Sequence, residues 1–227
     1  MQKTYKTKMG LLKRLLASFT SLVFCTGTFA QATDSVKVLF IYGSKPAREY
    51  RQVERRWFGG VRGGHAAVQI GADKVLSFRS TEYPCHIFAK KNKQKFASLF
   101  EYRTVNGAWE TFPPHNYIID SLKRAEVVIP INAEQRKKID SIAIVYTRST
   151  PYDYAFLGMR CASATYDVLQ QAGITESHKH GNWLRIFTVR SLRKRLFTIA
   201  KKNQANGWVR RIYKGGSHRK WEKDFVI

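Results

Sequence analysis

The stretch 126–173 constrains the fold most, because it predicts one strand and two helices in immediate succession. Its first six residues (EVVIPI) form an apolar, β-branched run, which predicts a strand compatible with a sheet edge despite Pro130. Asn132 then supplies a favourable helix N-cap, and Gln135 stands three residues later in the capping-box position. Apolar residues recur at helical spacing up to Pro151, which ends this helix.

The rest of the chain adds a third helix and several strands. The second helix is predicted from about Cys161 to the stop at Gly173, and the third from about Val189. A strand starting at His65 (HAAVQI) and one starting at Val75 (VLSFR) are separated by four turn residues, which predicts an antiparallel hairpin. Another buried strand (VKVLFIY) precedes them in the chain. The predicted class is α+β, with a small antiparallel sheet packed against a helix.

The N-terminus is typical of a secretory signal. Residues 1–32 hold five basic and no acidic side chains, a ten-residue apolar run (LLASFTSLVF) and a final Ala-Gln-Ala. The run is too short to span a bilayer unaided, so cleavage is favoured over an uncleaved anchor. Cys25 invites a lipoprotein interpretation, which the bulky Phe24 before it disfavours. We therefore predict export to the periplasm or the extracellular space.

The mature chain, residues 33–227, has the length of a single domain. No linker or internal repeat divides it. Residues 80–125 mix aromatic and lysine-rich stretches and are predicted to form an insertion that carries short strands or a helix. A basic tail follows from Asn206.

Charge indicates the kind of partner. The chain has 40 Lys and Arg against 16 Asp and Glu, a net charge of +24 that signal cleavage lowers to +19. Such an excess suggests an anionic partner, namely nucleic acid, acidic lipid headgroups or an acidic wall polymer. Export favours a cell-envelope component over nucleic acid. The alternative is a basic surface that binds nothing.

Two cysteines remain in the mature chain, Cys85 and Cys161, and they could form one disulfide. Cys161 begins a helix, where unpaired amide hydrogens and the helix dipole favour a thiolate, although its apolar register also fits a buried structural cysteine. A thiolate nucleophile needs a base, and His65 is the distinctive histidine because it starts a strand directly after Gly63-Gly64. The alternative for His65 is a histidine that serves only the packing of the strand.

These segments resemble the permuted papain-like, NlpC-type cysteine hydrolases and acyltransferases, whose relatives include the lecithin–retinol acyltransferase group. The hairpin GHAAVQI…VLSF is similar to the family's histidine hairpin. The run VVIPINAEQRKKIDSIAIVYTRSTPYDYAFLGMRCASATYDVL is similar to its strand, capped helix, Pro-Tyr-Asp turn and cysteine-led helix. In that family the histidine strand precedes the cysteine helix, as His65 precedes Cys161 here.

The resemblance implies a papain-like fold and a role for each matching residue. Cys161 would be the nucleophile and His65 the base. Ser77, twelve residues after the histidine, takes the position of the residue that orients the imidazole, where the family usually has His, Glu, Asn or Gln. Tyr152 and Asp153 would shape the substrate pocket or support the oxyanion, the alternative being that they only pack the turn. The resemblance implies neither a cofactor nor a metal.

The function predicted from the sequence is an exported thiol hydrolase or acyltransferase that acts on amide or ester bonds. Cell-wall peptides and lipid-linked acyl groups are the substrates that the resemblance suggests. The alternative is a non-catalytic basic module that keeps the fold and recognises anionic lipid or wall polymer.

Overall fold

The structure is a computed structural model, and it describes residues 34–41, 45–46, 64–82, 84–105, 124–176, 186, 188–213 and 219–220. All of these belong to one unit, Asp34–Ile227. The predicted signal peptide, residues 1–32, lies outside the described residues. Within the described ranges, no helix combines the length and apolar character that crossing a membrane requires.

The described chain has eight strands and three α-helices. The strands are β1 (Asp34–Ile41), β2 (Lys45–Pro46), β3 (His65–Gln69), β4 (Val75–Ser80), β5 (Ser98–Arg103), β6 (Arg124–Ile131), β7 (Val209–Tyr213) and β8 (Arg219–Lys220). The helices are α1 (Ala133–Arg148), α2 (Cys161–Gln171) and α3 (Val189–Lys202). Single 3₁₀ turns occur at Lys93–Lys95 and Gln204–Asn206. The predicted α+β class with an antiparallel sheet is confirmed.

Six strands form one sheet in the order β5-β4-β3-β1-β6-β7, and every neighbouring pair is antiparallel. β1 lies in the interior of this sheet, since Val38 pairs with Val68 on one side and with Val127 on the other. The short strands β2 and β8 pair with each other separately. The predicted hairpin is therefore extended on both sides by strands distant in sequence.

The hydrophobic core lies between one face of the sheet and the helices. Alternate residues of β1, including Val38 and Phe40, are fully buried with Ile139 of α1, Leu169 of α2 and Leu196 of α3. α2 packs against β3 and β4 and also contacts α1 and α3. This arrangement places the first residue of α2 beside the start of β3.

The helix signals identified in the sequence are confirmed. The side chain of Asn132 accepts a hydrogen bond from the Gln135 N–H at 2.8 Å, and the Gln135 side chain accepts one from the Asn132 N–H at 3.0 Å. α2 begins at Cys161, and Gly173 follows its end with φ of 71°, a left-handed conformation that favours glycine.

Two strands of the sheet lie in segments where the sequence does not locate individual elements. β5 falls within the predicted insertion 80–125 and pairs with β4 along its whole length. The predicted basic tail contains β7, which pairs with β6 only as far as Val128. Pro130 therefore lies where β6 has a partner on one side only, which explains why proline is tolerated in this strand.

Candidate active site

Cys161 lies against the start of the histidine strand. Its thiol is directed at the Gly64 carbonyl, with a sulfur–oxygen distance of 4.0 Å, and its sulfur accepts a hydrogen bond from the Ala66 N–H. These two backbone groups flank His65 in the chain. They lie at the end of β3 that pairs with β1 but not with β4, whose pairs with β3 are at Val68 and Gln69.

Gly64 makes this approach geometrically feasible. Its φ of 106° lies in the region that residues with a side chain rarely adopt, and its carbonyl faces the thiol. The helix that approaches the strand at this glycine is α2, through its first residue, Cys161.

The imidazole of His65 is held by Ser77. The Nε2 atom of His65 and the Ser77 hydroxyl are 2.8 Å apart, and both side chains are buried. His65 and Ser77, which the sequence analysis pairs, are therefore in contact. Ser77 is in turn the cross-strand partner of Glu101 on β5, whose carboxylate binds Arg79 and Arg103.

Electrostatics keep both candidate catalytic groups neutral. Burial raises the pKa of the Cys161 thiol, and hydrogen bonds from Ala66 and Ala162 N–H groups offset this only in part. Burial lowers the pKa of His65 to about 4; the positive charge of Arg103 acts in the same direction and Glu101 opposes it. The helix N-terminus was expected to lower the thiol pKa, but desolvation at a site 4% exposed outweighs it.

The sequence did not identify Tyr154 and Arg160 as part of this site. The Tyr154 hydroxyl donates a hydrogen bond to the Cys161 sulfur, and Arg160 contributes positive charge to the thiol and a hydrogen bond to the tyrosine. Burial raises the pKa of Tyr154, and the neighbouring thiol adds to this, so the hydroxyl remains a donor at neutral pH. Both residues lie in an irregular segment, where no periodicity indicates which side chains meet.

The start of α2 is capped by its own third residue. Ser163 accepts a hydrogen bond from the Arg160 N–H at 2.7 Å and donates one to the Arg160 carbonyl at 3.0 Å. These two hydrogen bonds hold the backbone immediately before Cys161 in place and so define where the helix begins.

Tyr152 and Asp153 have partners within the protein. The Tyr152 ring packs against Phe78 with ring centroids 5.2 Å apart, and its hydroxyl lies 3.4 Å from Asp167. The buried Asp153 carboxylate accepts hydrogen bonds from the N–H groups of Lys90 and Ala97, each at 2.9 Å.

His86 lies 2.7 Å from the same carboxylate. Burial would raise the pKa of Asp153, but these hydrogen bonds outweigh it and lower the pKa. Asp153 therefore ties residues 86–97 to the turn before α2, and a substrate-binding role for this turn remains a prediction.

Cys85 and Cys161 are both free thiols, so the disulfide alternative does not describe this structure. Among the described residues, no group of three or more His, Cys, Asp or Glu side chains is placed to hold a metal ion. Comparisons with protein-family models, with curated proteins and with solved structures find no match for the chain. The site must therefore be interpreted from its own geometry.

Proposed function

We propose that the protein is an exported thiol hydrolase or acyltransferase with a papain-like arrangement, in which Cys161 is the nucleophile and His65 the base. One observation carries this proposal. The sulfur of a helix-initiating cysteine contacts the two backbone groups that flank a buried histidine, and the imidazole of that histidine is anchored by a neighbouring strand.

The chemistry starts from a neutral thiol and a neutral imidazole. As the sulfur of Cys161 forms a bond to the substrate carbonyl carbon, its proton passes to His65, with Nδ1 as the acceptor because Nε2 faces Ser77. The carbonyl oxygen gains negative charge, which the Ala162 N–H at the helix start and the Tyr154 hydroxyl are suited to stabilise. His65 then returns the proton to the departing amine or alcohol, and water or another acceptor cleaves the thioester.

Ser77 and Glu101 take the place of a single orienting residue in this scheme. Ser77 holds the ring by a neutral hydrogen bond, and the Glu101 carboxylate supplies the negative charge that favours a protonated imidazole. Arg103 limits that effect. A base that is neutral at rest and becomes charged only during the reaction fits these surroundings.

Acyl transfer to Cys161 tests the proposal directly. The full chain is incubated with p-nitrophenyl acetate, and the acetylated residue is located by mass spectrometry of peptides. We expect the acetyl group on Cys161, with the initial rate lowered by about a hundredfold or more in His65→Ala, because the general base is lost.

Cys85→Ala is the matched control, since Cys85 is the other free thiol in the described residues, and this variant should react like the unchanged protein. Cys161→Ala should give no adduct. Equal acetylation of the two cysteines, or a rate that His65→Ala leaves unchanged, would contradict a catalytic pair.

The burial of the thiol favours a second candidate. A non-catalytic basic module would retain the fold without needing the thiol to be exposed, and Cys161 is 4% exposed with a raised pKa. For such a module, Cys161 would remain unmodified by the ester until the protein unfolds, while binding to polyanions would persist in Cys161→Ala.

A further inference from the structure

A basic groove lies at the opposite end of α2 from the thiol. It has a volume of about 720 Å³ and is lined by Lys194, Arg195 and Lys202 of α3, by Thr175 after α2, and by Trp208 before β7. Since α2 begins at the thiol and has 11 residues, its far end is about 16 Å away along the axis. The groove is therefore separate from the candidate active site.

Arg195 is held in place at the groove by a tyrosine. Its Nε donates a hydrogen bond to the Tyr166 hydroxyl at 3.1 Å, and its guanidinium lies over the Tyr166 ring, 5.2 Å from the centroid. Within the described residues, no carboxylate pairs with Arg195 or Lys202. Glu176 is the single acidic residue among those lining the groove, so positive charge exceeds negative charge there.

Trp208 adds an apolar surface to the groove. It is partly buried against the core and also lines the groove, so its indole is held in place beside the basic side chains.

We propose that this groove binds a carbohydrate that carries a carboxylate or phosphate group. The anionic group would bind Arg195 and Lys202, since arginine in particular recognises both groups through paired hydrogen bonds. The C–H face of the sugar ring would pack on the Trp208 indole, which a simple inorganic anion cannot do. The proposal stands on the groove alone and does not depend on the chemistry of Cys161.

Isothermal calorimetry on the full chain tests the proposal with four probes: a glucuronic acid oligosaccharide, glucose 6-phosphate, inorganic phosphate and the neutral maltotetraose. We expect at least one acidic sugar to bind, and the two acidic probes show whether the site prefers carboxylate or phosphate. Maltotetraose should not bind measurably, and inorganic phosphate should bind more weakly than glucose 6-phosphate.

Two neighbouring lysines supply matched variants. Lys202→Gln should weaken binding of the acidic sugar about tenfold, because it removes a charged hydrogen-bond donor from the groove. Lys201→Gln removes the same charge from an exposed position on the same helix that does not line the groove, and should leave the affinity unchanged. Trp208→Ala should weaken the acidic sugars without changing the affinity for inorganic phosphate.

The proposal would be overturned if neither acidic sugar bound, or if the two lysine variants lost affinity for the acidic sugar equally. It would also be overturned if inorganic phosphate bound as tightly as glucose 6-phosphate. Cys161→Ala should retain the full affinity. If it does and no acetyl adduct forms on Cys161 in the unchanged protein, then the groove proposal survives while the proposed enzyme function fails.

Discussion

His65 shows how strongly burial controls a single titratable side chain. Its pKa is lowered to about 4 because the imidazolium would have to give up its hydration inside the protein. The hydrogen bond to Ser77 orients the ring but brings no charge to offset this loss. His65 is therefore neutral in the folded protein at physiological pH.

This shift predicts that the protein becomes less stable in mild acid. The unfolded chain takes up a proton on His65 near pH 6.5, whereas the folded protein does so only near pH 4. Stability from this group is present above pH 6.5, is lost as the pH falls from there to about 4, and amounts to about 3 kcal/mol. Urea denaturation at a series of pH values should reveal this loss in the unchanged protein and not in His65→Gln. If the free energy of unfolding depended on pH in the same way in both proteins, the pKa of His65 would not be lowered by folding.

Tyr154 is expected to affect the reactivity of the thiol. Tyr154→Phe removes the hydroxyl that donates to the Cys161 sulfur, so the thiol pKa should rise further and acetylation of Cys161 should slow by about tenfold. Tyr102→Phe is the control, because Tyr102 lies on β5 at the surface of the sheet. If both variants react at the unchanged rate, Tyr154 serves only packing.

At the level of elements, the turn before α2 depends on one buried carboxylate. Asp153 binds the backbone of residues 90 and 97 and the side chain of His86, and thereby connects this turn to the segment leading into β5. The same turn carries Tyr154 and Arg160 to the thiol. The hydrogen bonds of Asp153 therefore help to position the groups around the sulfur.

We predict that Asp153→Asn destabilises the protein by about 3 kcal/mol, because the amide NH2 replaces one carboxylate oxygen and so faces a backbone N–H that also donates. Thermal or urea unfolding measures this loss. Asp140→Asn is the control, since Asp140 is exposed on α1 and should change stability by less than about 0.5 kcal/mol. A stable Asp153→Asn variant with impaired substrate binding would instead support the direct substrate role predicted from the sequence.

Local sequence signals sufficed for the elements whose stabilising contacts lie within a few residues. The capping box at Asn132 and Gln135 set the start of α1, and Gly173 marked the end of α2. β5 and β7 could not be found in this way, because their backbone partners lie on strands distant in the chain. These short segments mix apolar and polar residues, and they form strands because a neighbouring strand is available for backbone pairing.

At the scale of the whole molecule, the positive charge predicts salt-sensitive binding to polyanions. With a net charge of +24, affinity for a soluble polyanion such as heparin should fall by about a hundredfold between roughly 50 mM and 200 mM salt, since binding releases counterions. Affinity measured by calorimetry at several salt concentrations checks this. Dextran, a neutral polysaccharide, is the control, and binding that is independent of salt would indicate that the basic surface is not used.

Removing the basic C-terminal region is not a suitable way to locate this binding. α3 contributes Leu192 and Leu196 to the core, and β7 is a strand of the main sheet. Truncation would therefore unfold the protein, whereas substitution of exposed lysines such as Lys201 changes charge alone.

Local patterns in the sequence established the α+β class, the starts of the three helices, the end of α2 at Gly173 and the histidine hairpin, and they singled out Cys161 and His65 as candidates. Periodicity, caps and spacing act over short distances along the chain, whereas Ser77 was assigned from the resemblance to a known family. The folded structure was needed to show that the thiol meets the backbone on both sides of His65, that Tyr154 donates to it, and that both groups rest in neutral form. Those properties depend on burial and on contacts between residues as far as 97 positions apart in the chain, which no local sequence pattern specifies.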